Sequence, residues 1–212
     1  MTQKERQERS KEEIYRAAME EFGTKGYDGV NMERICADHG ISKGMMYHYY
    51  SGKDELFLLC AERTFRELTD YVAQGMDELE ELDVTEAVKR FFLLREGFFQ
   101  SSPKEKAVFE SAMLRPPRHL MEQIQALRAP IRQLNREFIE RLAARMPLRS
   151  GLEPEKVSGY LAAIEPFFQD ILNSAQGKCP AQDLHAMLEA SGKLLDMILF
   201  GVLRQAGETE TD

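Results

Sequence analysis

Apolar residues recur at intervals of three and four along almost the whole chain, and this spacing constrains the fold more than any other feature. Ile14, Ala17, Ala18 and Phe22 fall on one face of a helix, as do Met32 and Ile35 of the next periodic segment. Alternating Val/Ile/Thr runs are nearly absent, and no Asn-Gly or Asp-Gly pair sits between such runs. A chain patterned this way buries its stripes only by packing helix against helix, so the expected class is all-α.

The punctuation sets about nine helices. The first is expected over 10–25, capped by Ser10, with Glu12 and Glu13 in its first turn and Gly26 as its stop. The second, over 31–38, takes Asn31 as its cap and ends at Gly40; the third, over 43–49, follows Ser42. These pieces are too short to stand alone and must pack as a three-helix unit, completed by Tyr27, Val30, Ile41 and Met46. Longer helices are expected over 53–79, 84–100, 103–114, 117–146, 154–176 and 180–205. Pro103 and Pro154 open two of them, Pro116-Pro117 ends one, and Pro130 and Pro166 predict kinks or breaks. The expected division is a head over 1–52 and a larger helical domain over 53–212.

Charge narrows the partners. The net charge of −8 argues against nucleic acid at first. Residues 1–53, however, hold nine basic and nine acidic side chains, so all the excess acid lies beyond them. A neutral head on an acidic body is free to dock on a duplex while the body discourages nonspecific side-on binding. No apolar run approaches the roughly 18 residues of a membrane span; the longest strong one is MILFGVL at 197–203. The first residues show no export signal, and three scattered cysteines (Cys36, Cys60, Cys179) disfavour a disulfide framework, so a cytoplasmic location is expected.

The span 31–53 reads as a helix-turn-helix. Lys43, Gly44, Met45, Tyr47 and His48 point away from the face made by Met46 and Tyr50. Gly44 permits close approach of the backbone, and Tyr47 and Tyr49 offer hydroxyls to phosphates. Lys53, opening the next helix, adds an ammonium where free backbone N–H groups also favour a phosphate. With the caps Asn31 and Ser42, these form the expected duplex-contacting set. Cys36 and His39 have metal-ligand spacing but no second pair nearby, so no metal and no cofactor are expected.

The stretch AAMEEFGTKGYDGVNMERICADHGISKGMMYHYYSGKDELF resembles the DNA-binding head of TetR-family transcriptional regulators. Phe22, Gly26-Tyr27, Asn31, Ile35, Gly40-Ile41-Ser42, Gly44, Tyr47, Tyr49 and Lys53 stand in the family's order and spacing. Cys36 and His39 replace two alanines of the family pattern, Asn31 a Thr/Ser, Met45 a Thr and Tyr50 a Phe. Met45 donates no hydrogen bond to a base, but fits a thymine methyl. The resemblance implies a homodimer joined by a four-helix interface, here through helices about 154–176 and 180–205 with their small residues Gly159, Ala162, Ala163, Ala190, Gly192 and Gly201. It also implies a ligand-binding and dimerisation domain after the head, a palindromic double-stranded DNA operator, and most often a repressor.

Helix 84–100 is apolar on most sides, with Arg95 and Glu96 interrupting that surface. The two charges either pair or reach a domain edge, or Arg95 faces an anionic or polar small molecule. In the latter case Phe91, Phe98, Phe109, Met113, His119, Phe138, Phe167 and Phe168 supply the remaining pocket wall. Catalytic signatures are lacking: there is no Glu-x-x-His, His-Glu-x-x-His, Gly-x-Ser-x-Gly or phosphate-cradling glycine loop. The sequence therefore predicts a DNA-binding regulator released from its operator by a small-molecule effector, and not an enzyme. The alternative is a regulator governed by a protein partner.

Overall fold

A computed structural model of the chain describes residues 2–146, together with 148, 151–153, 155–157, 159, 184–189 and 192–193. Among these residues lie eight α-helices and two 3-10 turns, with no β-strand. The helices are α1 (Gln3–Gly29), α2 (Met32–Asp38), α3 (Lys43–Tyr49), α4 (Lys53–Met76), α5 (Val84–Ser101), α6 (Pro103–Leu114), α7 (Met121–Leu127) and α8 (Ala129–Arg145); the turns are Asp77–Leu79 and Arg118–Leu120. The helices expected over 154–176 and 180–205 lie mostly outside the described residues, and the described pieces within them are helical.

The chain divides into two compact units, residues 1–68 with 98–129, and residues 69–97 with 130–212. In the first, Ile14, Ala18 and Phe22 of α1, Ile35 of α2, Met46 of α3 and Leu56, Phe57 and Cys60 of α4 are sealed from solvent. Burying each of the larger side chains contributes roughly 1.5–3 kcal/mol, which is what holds the seven-residue helices α2 and α3 in place. Helix α6 packs on α1 closely enough that a Cβ on Gly23 would lie 2.7 Å from Cβ of Lys104. That crossing requires a glycine, and the ion pair between Lys104 and Glu20 flanks it.

Helix α1 corrects the expected start. Thr2 is the cap: its hydroxyl accepts from the Glu5 N–H at 3.2 Å, and the Thr2 N–H donates to the Glu5 carboxylate at 2.8 Å. Ser10 therefore lies inside the helix, and Glu12 bonds not to a helix terminus but to Arg16 and Arg63. At the other end Gly26 has φ 66° and ψ 175°, so helical geometry is broken at the expected stop.

The helix expected over 117–146, with a kink or break at Pro130, is three pieces. Arg118–Leu120 is a 3-10 turn, α7 ends at Leu127, and α8 begins at Ala129. Pro130 has no N–H to donate and its ring would clash with the carbonyl four residues earlier, so the helix restarts with Pro130 in its first turn.

In the second unit Phe91 of α5 stacks on Phe138 of α8, ring centroids 3.8 Å apart and planes 4° from parallel. Arg141 of α8 pairs with Glu80 at 2.8 Å, and Arg145 donates to the carbonyl oxygens of Leu79 and Leu82.

Candidate nucleic-acid interface

The helix-turn-helix forms as the spacing predicts. The Asn31 side chain accepts from the Glu33 N–H at 2.8 Å, and the Ser42 hydroxyl accepts from the Met45 N–H at 3.1 Å. Each supplies an acceptor for one of the orphan N–H groups at the N-terminus of a short helix. Between them Gly40 sits at φ 67°, a left-handed conformation that a side-chain-bearing residue enters only with strain.

Helix α3 is divided by burial. Met46 is 0% exposed, whereas Lys43, Gly44, Tyr47 and His48 are exposed and Tyr47 stands 50% open, unusual for so large a ring. Met45 and Tyr49 are half-buried. A Cβ added at Gly44 would meet nothing within 4 Å, so the chain's own packing places no demand for glycine there. His48 lies edge-on to Tyr49 at 4.7 Å, and the Lys11 ammonium is 5.9 Å from the Tyr49 ring centre.

The two lysines of the set are held differently. Lys43 pairs with Glu33 at 2.6 Å, with both side chains mostly in solvent. That hydrogen bond raises the lysine above its ordinary range and lowers the carboxylate. An exposed pair of this kind is worth little and exchanges readily for a phosphate. Lys53 is half-buried: its ammonium sits 4.3 Å from the Tyr27 ring centre and donates to the Tyr27 carbonyl oxygen at 3.3 Å.

Tyr27, read from sequence as a core residue, has a second role. Its hydroxyl donates to Oδ1 of Asp54, and Nε2 of His119 lies 2.9 Å from Oδ2 of Asp54 and 3.3 Å from the Tyr27 hydroxyl. Burial first, then the bond to Asp54, pushes the Tyr27 phenol up. Asp54 is held below the usual carboxylate range by the Tyr27 hydrogen bond foremost, with His119 adding to it against the opposing effect of burial. His119 was expected beside a ligand pocket; its side chain is 58% exposed and belongs to this cluster.

The remaining pocket residues separate between the two units. Phe109 packs on Phe65 and Phe99 in the first unit, where Phe98 is buried and Met113 half-buried. Phe91, Arg95 and Phe138 come together in the second. Phe167 and Phe168 lie outside the described residues. Arg95 is 6% exposed and does not pair with Glu96; it donates to the Phe91 carbonyl oxygen and to Oδ1 of Asn135, each at 2.6 Å. Its guanidinium lies 4.2 Å from the Phe91 ring centre and 5.7 Å from that of Phe92. No carboxylate among the described residues pairs with it, and burial lowers its pKa to about 10. Phe92 also lines an open groove of about 580 Å³ with Val88, Leu93 and Leu188, while Glu96 on its rim pairs with His185 at 2.6 Å.

The profile described as "Bacterial regulatory proteins, tetR family" matches residues 14–60, the segment that builds this surface. The chain carries a TetR-family head. Among curated relatives, the HTH-type transcriptional repressor AcnR of Corynebacterium jeikeium is 38% identical over 63 residues, 30% of this chain and 33% of that one. The HTH-type transcriptional repressor SCO4008 of Streptomyces coelicolor is 34% identical over 73 residues, covering 34% and 38%. The chain thus spans about a third of the length of the curated relatives it matches. A putative TetR-family regulator from Mesorhizobium loti superposes with a TM-score of 0.61 over 96% of this chain and 100% of its own, at 17% identity. The fatty acid degradation regulator FadR of Bacillus halodurans gives 0.61 over 91% and 95%, at 18% identity. At these identities the likeness concerns the fold: a TetR-type helical architecture, extending well past the TetR-family head.

No helix among the described residues is long and apolar enough to cross a membrane. No cluster of metal-ligating side chains occurs among them either, Cys36 and His39 included.

Proposed function

We propose that the chain is a transcriptional regulator, a repressor that holds a palindromic DNA operator as a homodimer and leaves it when a small molecule binds. One observation carries the DNA reading: helix α3 buries Met46 and opens Lys43, Gly44, Tyr47 and His48 to solvent. An exposed glycine inside a helix costs about 1 kcal/mol against alanine. The fold itself does not need Gly44, which supports a demand made by a partner's close approach. The caps, the exposed tyrosine and the two lysines match what phosphate-anchored entry of a short helix into a major groove requires. The names of the curated relatives, both repressors, point the same way and away from catalysis.

In this reading residues 1–52 are the reading head and residues 53–212 hold the effector and the dimer contact. Two recognition helices of a twofold pair enter successive major grooves roughly 34–36 Å apart. Tyr47, Tyr49 and Lys53 bind phosphates, Met45 lies against a thymine methyl, and Asn31, Ser42, Lys43, Gly44 and His48 complete the surface. The pairing runs through helices about 154–176 and 180–205.

The effector reading rests on Arg95. A buried guanidinium flanked by Phe91 and Phe92, without a described carboxylate partner, suits a small molecule with an acidic group and an apolar body. The groove beside Phe92, of ligand size, supports an entry there. Selection of bound duplexes from random oligonucleotides tests the whole scheme. The expected winner is an inverted repeat. Tyr47→Phe and Lys53→Ala are expected to weaken binding to every sequence, and the lysine variant to lower the salt slope by about 0.9. Unchanged affinity and slope in both variants would reject the head assignment.

A further inference from the structure

Lys53 does not stand free at the start of α4. Its ammonium rests on the ring face and carbonyl oxygen of Tyr27, at 4.3 Å and 3.3 Å. The Tyr27 hydroxyl is in turn bound to Asp54 and lies 3.3 Å from His119, whose ring nitrogen is 2.9 Å from the other Asp54 oxygen. Edge-on packing of Tyr27 against Phe57 at 5.1 Å fixes the inner side of the same ring. Three segments meet here: the kink after Gly26, the first turn of α4, and the 3-10 turn Arg118–Leu120.

We propose that Tyr27, Asp54 and His119 are positioning residues for Lys53, so that the turn carrying His119 governs a phosphate contact made by the head. This rests on the DNA-binding reading above. The side chains of the His119–Asp54 pair are 58% and 45% exposed, a setting in which an ion pair adds almost nothing to stability. What the cluster does accomplish is to hold the plane of Tyr27, which is the seat of the ammonium. Lysine is a flexible point charge, and ordering it before DNA arrives removes a cost otherwise met on binding. Losing the turn's grip on Asp54 therefore loosens Tyr27 and disorders Lys53 without touching the recognition helix. It also supplies a route by which a displacement of the Arg118–Leu120 turn weakens DNA binding.

A double-mutant cycle on the full chain tests this, reading affinity and salt slope for the selected inverted repeat and for a mixed-sequence duplex. His119→Ala is expected to weaken both complexes about two- to tenfold, the range for ordering one long side chain. In a Lys53→Ala background the same change is expected to have no further effect. Tyr27→Phe, which keeps the ring and removes the hydroxyl, repeats the pattern if the histidine variant folds poorly; thermal midpoints near that of the parent confirm the fold. An equal loss with and without Lys53, an unchanged affinity, or tighter binding overturns the proposal. If the parent chain binds no duplex, the proposed function itself fails; if it binds and the cycle is additive, only the positioning role fails.

Discussion

Replacing Arg95 by methionine removes the charge while keeping much of the side-chain length. Arg95 is buried, and burial lowers its pKa to about 10. At about 1.4 kcal/mol per pH unit, keeping it charged inside the protein costs about 3 kcal/mol. Two hydrogen bonds, to the Phe91 carbonyl oxygen and to Asn135, return about 1 kcal/mol each. The Phe91 face adds about 0.5–1 kcal/mol. The Phe91 carbonyl sits in helix α5 and keeps its helical partner, so the substitution leaves no orphan there. The expected result is a stability unchanged or about 1 kcal/mol higher, a rise of up to about 4 °C in thermal midpoint. The sign of the linkage agrees: the folded pKa is depressed, so the burial cost is fully present at neutral pH and is relieved only as pH climbs through about 10. Calorimetry or urea unfolding of the parent and the Arg95→Met variant at neutral pH measures it. A loss of more than 2 kcal/mol would show that the guanidinium is a net structural asset and would remove the reason for assigning it to a ligand.

Three further outcomes follow from local geometry. Ser42→Ala deletes the cap of α3 and is expected to lower stability by about 1 kcal/mol in urea unfolding, while Ser42→Thr retains most of it. Burial pushes the Cys60 thiol up to about 12, so site-resolved mass spectrometry should find it unlabelled by a thiol reagent at neutral pH until the protein unfolds. The hydrogen bond from Arg63 holds Glu12 below its ordinary value, so its stabilising contribution is present above the unfolded value and lost as pH falls through the folded one. Glu12→Gln should flatten that part of the acid limb of an unfolding-versus-pH curve, and an unaltered limb would count against the pair.

The head was legible because its information is local. A cap followed by an apolar pair, a glycine at the turn and a second cap specify α2 and α3 with little help from the rest of the chain, and their ends fall at the expected residues. The start of α1 is equally local: the capping box Thr2-x-x-Glu5, an N-terminal signature in its own right, opens the helix eight residues before Ser10. The break at Arg128 shows the limit of periodicity: the apolar spacing runs on through it, and only the backbone chemistry of Pro130 interrupts the helix.

Periodicity and punctuation by themselves determined that the chain is helical, where α2 and α3 begin and end, and which face of α3 is turned outward. They acted through hydrogen bonds and steric limits within a few residues of each other. Only tertiary structure decided that Tyr27, Asp54 and His119 meet, that Arg95 is buried without Glu96, and that Phe109 packs on Phe65 while Phe91 stacks on Phe138. Those pairings join residues 27 to 92 positions apart. They are chosen by which helix faces pack together, a property of the folded whole that no short window of sequence contains.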